Sequence, residues 1–220
     1  MWEAEWTAVL AGTPVDSRMG VRVLAEYGLE GRAFPMAEDP WRQTAFQLST
    51  PAEKTAAVRS VLEGVREQGC RRVLVYCNSL SAAVEFELLA EETGLRIVTP
   101  LQVYRDLAPC FRRLGLIAAN AQGLAGIERT LYGTNPSLEL LGACLLPVVL
   151  AIESGEAPEA LVERHRLPEL AEWFRGCGME ALVLGCTHFP YFKASLAERT
   201  SLPLLDPAED MVRRLRQSGT

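Results

Sequence analysis

Two stretches of this chain end an apolar run on a cysteine: Val73-Leu74-Val75-Tyr76-Cys77-Asn78-Ser79 and Ala181-Leu182-Val183-Leu184-Gly185-Cys186-Thr187-His188. In each, polar residues and then a helical pattern follow the thiol. A thiol at such a strand–helix junction lies near backbone N–H groups and the positive end of a helix dipole, which favour the reactive thiolate. Two such thiols on opposite faces of one substrate carbon make a two-base system. One thiolate removes a proton while the other group, as thiol, delivers one from the opposite face. The outcome is stereoinversion that needs no cofactor. Asp16 and His188 are the candidates to orient the thiols and manage their protons. Ser17, Asn78, Ser79 and Thr187 are the candidates to hydrogen-bond a carboxylate whose α-carbon takes on carbanion character.

Rival chemistries fit less well. Of the six cysteines, Cys70, Cys110, Cys144 and Cys177 read as core packing, because a free cysteine behaves as a small buried hydrophobe. Partial exposure and a helix N-terminus are expected to make Cys77 and Cys186 the most readily alkylated. No Cys-x-x-Cys pair occurs, and Cys186 and His188 are closer than usual ligand spacings, so no metal site is expected. A Cys–His hydrolase would use His188 and leave the other cysteine motif without a role. His165, among Glu163, Arg164 and Arg166, reads as a solvated helix residue. Glycine-rich phosphate cradles and a Gly-x-Ser-x-Gly elbow are absent.

Short apolar runs alternate with helical patterns, which predicts βαβ units and mostly parallel sheets. Strands are expected at Thr7–Ala11, Arg72–Tyr76, Arg96–Thr99, Leu114–Ala118, Leu138–Cys144, Ala181–Leu184 and Leu202–Leu205. Gly12–Ser17 reads as a turn-rich loop. Thr50-Pro51-Ala52-Glu53 is a capping box opening a helix that runs to about Gln68. Further helices are expected at Leu80–Thr93, stopped by Gly94, at Leu124–Tyr132, at Pro158–Arg175 with a break before Pro168, and at Pro190–Thr200. Asp206-Pro207-Ala208-Glu209 reads as the cap of a terminal helix. Each half also sends an early strand into a small polar loop, Ala11-Gly12-Thr13 and Ala118-Ala119-Asn120. The pattern implies two similar α/β lobes, each presenting one thiol at a strand's carboxyl end, where open sheets bind ligands.

Composition narrows the partners. At 49% hydrophobic and 23% charged, the 220 residues match a globular chain rather than a disordered one. The formal charge is −6 and no basic run exceeds two residues, which argues against a nucleic-acid partner. Met1–Trp6 carries acidic residues where a signal peptide would be basic, and the apolar stretch Leu138–Ile152 is broken by Glu139, Gly142 and Pro147. A cytoplasmic protein without a membrane partner is expected.

These motifs resemble the aspartate/glutamate racemase superfamily, and glutamate racemases most. Val15-Asp16-Ser17-Arg18-Met19-Gly20 is similar to that family's Asp-Ser-Gly-x-Gly-Gly opening. Cys77-Asn78-Ser79 resembles its Cys-Asn-Thr, and Gly185-Cys186-Thr187-His188-Phe189-Pro190 its Gly-Cys-Thr-His-Tyr-Pro. Glu153 stands where the family has an acidic residue assisting the second cysteine. The resemblance implies a cofactor-independent racemase of glutamate, aspartate or another amino acid, with two pseudo-symmetric three-layer α/β lobes and the active site in the cleft between them. It implies residues 1–99 plus 203–220 as one lobe and 100–202 as the other. It further implies that Cys77, served by Asp16, acts on the D-enantiomer, and Cys186, served by Glu153 and His188, on the L-enantiomer. Arg18 replaces a family glycine, Phe46-Gln47-Leu48-Ser49 lies nearest the family's Pro-Tyr-Gly, and Ala119-Asn120-Ala121-Gln122-Gly123 replaces a Thr-rich loop. Asn120 and Gln122 join the substrate-binding candidates. A small amino acid or dicarboxylate and a second copy of the chain are the expected partners. Two other readings stay open: an isomerase or decarboxylase of a small dicarboxylate, and a non-catalytic amino-acid-binding protein.

Overall fold

The computed structural model describes residues 6–217, so the reading of Met1–Glu5 and the last three residues of the terminal segment fall outside it. The chain divides into two compact units, residues 1–103 with 208–220, and 104–207.

The first unit runs β1 (Thr7–Ala11), α1 (Pro14–Glu26), β2 (Gly31–Pro35), α2 (Pro40–Leu48), α3 (Pro51–Glu67), β3 (Arg72–Val75), α4 (Asn78–Ala83), α5 (Phe86–Thr93) and β4 (Arg96–Val98). Its sheet is parallel throughout, in the order β2-β1-β3-β4. β1 is buried along its whole length, as expected of an apolar run covered on both faces. Val58, Leu62 and Val65 of α3, seven residues apart end to end, pack on Val73 and Val75 of β3 and Ala8 and Leu10 of β1. The Thr50 capping box forms as expected, with Glu53 accepting from the Thr50 backbone and Thr50 from Glu53.

α6 (Pro100–Leu107) leads into the second unit: β5 (Arg113–Ala118), α7 (Ala121–Thr134), β6 (Glu139–Cys144), α8 (Leu146–Glu153), α9 (Pro158–Arg164), α10 (Leu167–Gly176), β7 (Ala181–Gly185), α11 (Pro190–Ala197) and β8 (Leu204–Leu205). This sheet is also parallel, in the order β6-β5-β7-β8, the same topology as the first. Ile117, Leu182 and Leu184 pack against Phe174 of α10 and Phe189 and Phe192 around α11. α12 (Ala208–Arg216) returns to the first unit and buries Met211, Val212 and Leu215.

Several expectations need correction. Gly12–Ser17 is not all loop: α1 starts at Pro14, with Thr13 as its N-cap. The Leu80–Thr93 helix is two helices, because Val84 takes an extended conformation between them. Leu204–Leu205, expected with the first lobe, pairs with β7 of the second sheet. The break near Pro168 is present, and Arg166 there adopts a left-handed φ of 52°. β2, α2, α6 and α8 were not anticipated. Among the described residues no helix is long and apolar enough to cross a membrane.

Candidate functional site

In each sheet the chain leaves the first strand toward one edge and the third toward the other. Loops that diverge in this way open a crevice at the carboxyl ends of the two strands. The candidate residues gather at these switch points.

In the first unit, the Tyr76 N–H donates to the Leu10 carbonyl at 2.7 Å, which brings the loop after β3 beside the loop after β1. The Asp16 carboxylate turns back to accept the Gly12 N–H at 3.3 Å, while the Asp16 N–H donates to Thr13 Oγ1 at 3.2 Å. Ser17 donates to the Thr13 carbonyl at 2.9 Å and so braces the same turn. Cys77 is the N-cap of α4, with extended backbone. Its Sγ lies 3.4 Å from Ser79 Oγ and accepts from Gln43 Nε2 at 3.5 Å. Gln47 Nε2 donates to Ser79 Oγ at 2.6 Å. Asp16, Ser17, Asn78 and Ser79 are all buried polar groups. Arg18 is exposed on α1.

In the second unit, pairing of Ala118 with Gly185 sets the Ala119–Asn120 loop beside Cys186. Gly185 has no room for a side chain: a Cβ would meet the Ile117 carbonyl at 2.8 Å. Cys186 Sγ lies 3.6 Å from His188 Nδ1, and His188 Nε2 lies 2.8 Å from Glu153 Oε1 at the end of α8. The His188 and Glu153 side chains are 3% and 13% exposed, so the thiol–imidazole–carboxylate line is largely shielded from water. Thr187 is buried beside them. Asn120 Oδ1 caps α7 by accepting the Gly123 N–H at 2.9 Å. Gln122 is exposed on the first turn of α7, with no hydrogen bond to the Cys186 group among those described.

Two expectations about the cysteines fail. Cys77 and Cys186 are not partly exposed but 3% and 7% accessible. Cys110, Cys144 and Cys177, expected in the core, are exposed, and of that set Cys70 alone is buried. Each exposed thiol sits at the end of an element, where no apolar pattern holds it inside.

Gln43 goes unnoticed in the sequence, and Gln47 enters only within the Phe46-Gln47-Leu48-Ser49 segment, with no link to Cys77. They lie four residues apart on one face of α2, a helix whose only advance notice was Asp39-Pro40, an N-cap residue before a first-turn proline. Among the described residues no group of three His, Cys, Asp or Glu side chains is arranged to hold a metal.

A profile of the Asp/Glu/Hydantoin racemase family matches residues 46–215, which include both cysteines, Glu153 and His188. The chain belongs to this family. It is 33% identical over 160 residues to a glutamate racemase of Thermus thermophilus and 26% identical over 156 residues to one of Limosilactobacillus reuteri. Each alignment covers 69% of this chain and 58% of the relative, so the chain spans under two thirds of the relatives' length. A crystal structure of glutamate racemase from Francisella tularensis, in complex with D-glutamate, superposes with a TM-score of 0.74 at 20% identity, covering 96% of this chain and 80% of that one. The racemase fold of two α/β lobes is thus shared by this member of the family.

Proposed function

We propose that this chain is a cofactor-independent amino-acid racemase of the cytoplasm, with glutamate as its substrate and Cys77 and Cys186 as the two acid/base groups. One observation carries the reading: two sheets of the same strand order each carry a cysteine within two residues of the end of their third strand, Cys77 after Val75 and Cys186 after Gly185. The naming of the relatives as glutamate racemases supports the substrate.

In the proposed reaction the Cys77 thiolate takes the α-proton of the D-enantiomer, breaking C–H and forming S–H. The Cys186 thiol gives its proton to the opposite face, forming the new C–H bond and leaving a thiolate. The reverse reaction exchanges the roles. Asn78, Thr187 and Asn120 hydrogen-bond the substrate carboxylate and spread the developing charge. His188, backed by Glu153, supplies and stores the proton of Cys186. Asp16 holds the turn that faces Cys77.

The test is Cα–H exchange in D₂O, followed by NMR over a panel of amino-acid enantiomers without added pyridoxal phosphate. Exchange of glutamate that disappears in both Cys77→Ser and Cys186→Ser is expected. Full activity in either variant would sink the two-thiol mechanism, and turnover of another amino acid alone would correct the substrate.

A further inference from the structure

α2 brings two amides of the same type to one small region. Gln43 donates from Nε2 to Cys77 Sγ at 3.5 Å. Gln47, one helical turn later, donates to Ser79 Oγ at 2.6 Å, and that oxygen lies 3.4 Å from the same sulfur. A Cys77 thiolate has no proton to give, so against it the Ser79 hydroxyl is the donor at that contact. Two donors therefore converge on Sγ. The backbone is shaped to admit the first of them: a Cβ built at Gly12 would collide with the Gln43 amide, so only a glycine there leaves the amide its seat.

We infer that Gln43 is a positioning residue for Cys77, holding the sulfur through its amide N–H and favouring the thiolate over the thiol. A donor to a charged acceptor forms a stronger bond than to the neutral form, so the contact stabilises the anion selectively. Three charged groups on neighbouring elements have partners of their own. Asp16 on α1 accepts from Gly12, Arg42 on α2 pairs with Glu38 at 2.8 Å, and Lys54 on α3 donates to the Gln47 carbonyl at 3.0 Å. The inference rests on the acid/base role proposed for Cys77, and its test is chosen to fail separately.

The test is a pH titration of thiolate ultraviolet absorbance, taken as the difference between each protein and its Cys77→Ser counterpart, without substrate. Gln43→Leu should raise the Cys77 midpoint by about one pH unit, and Gln43→Glu, of the same shape but anionic, by more. Gly12→Ala keeps Gln43 but fills its seat, and should reproduce the leucine shift. The acid limb of kcat/KM for racemisation should move with the midpoint. If Gln43→Leu does not fold, Gln43→Glu and Gly12→Ala still give the reading. An unshifted midpoint in folded variants of an active racemase overturns the inference alone. A shifted midpoint in a protein that racemises nothing supports it and overturns the proposed function instead.

Discussion

At Cys186 the neighbouring imidazole is engaged at both nitrogens. Glu153 faces Nε2 of His188 at 2.8 Å, and the sulfur faces Nδ1 at 3.6 Å. A carboxylate partner keeps the proton on Nε2, so the Nδ1 lone pair points at the thiol. The ring can then take that thiol's proton, with the Glu153 charge balancing the imidazolium. Replacing His188 by Gln should lower kcat about 100-fold, and Glu153→Gln should lower it by roughly 10- to 100-fold, with KM nearly unchanged. Steady-state kinetics on glutamate check this, and a change confined to KM would contradict it. The exposed cysteines make a second prediction. Partial desolvation of its sulfur, with a smaller contribution from the Glu128 charge, raises the Cys144 thiol above its usual pKa. Limited iodoacetamide should therefore label Cys110 and Cys177 before Cys144, as mapped by mass spectrometry. Labelling of Cys144 first would show that exposure rather than thiolate content sets the order.

Elements carry their own tests. The Thr50 cap satisfies an N-terminal amide of α3, the helix that covers β1 and β3. Thr50→Ala should cost about 1 kcal/mol, measured by urea unfolding. At the entry to β7, the Glu180 carboxylate accepts the N–H groups of Arg113 and Arg112 at 3.0 and 2.8 Å. Those bonds hold its pKa below the usual glutamate value. A carboxyl with a lowered pKa stabilises the fold above its unfolded pKa of about 4.3, and the benefit fades as pH falls through the folded value. Glu180→Gln should accordingly lower stability at neutral pH, match the parent once the parent's carboxyl is protonated in acid, and so flatten the slope between. A variant that keeps the full acid slope would contradict the assignment. Strands such as β1 and β7 were legible in the sequence because both faces are buried, and burial leaves an unbroken apolar run. β2 was not, since an edge strand with a partly exposed Gly-Arg-Ala-Phe-Pro carries neither a run nor an alternation. α2 was hidden for a related reason: it turns Gln43 and Gln47 toward polar partners and leaves Trp41 and Leu48 exposed, so its pattern does not point to a core. Hence Cys77 was found from its strand while the amide beside it was not.

At the scale of the whole molecule, the repetition matters most. The orders β2-β1-β3-β4 and β6-β5-β7-β8 give each unit the same switch point, occupied by Cys77 in one and Cys186 in the other. The internal likeness of the two cysteine segments was readable because strand, thiol and following helix are contiguous in sequence. Glu153 became a candidate only through family resemblance, since nothing local ties the end of α8 to a histidine 35 residues later. Two-base chemistry leaves a label that no single-base route reproduces. Starting from protiated D-glutamate in D₂O, the first L-glutamate formed should carry deuterium at Cα while the remaining D-glutamate is still protiated, because each thiol serves one face. Early L-glutamate that keeps the original proton would mean that one group carries it across both faces, and would contradict the two-thiol account.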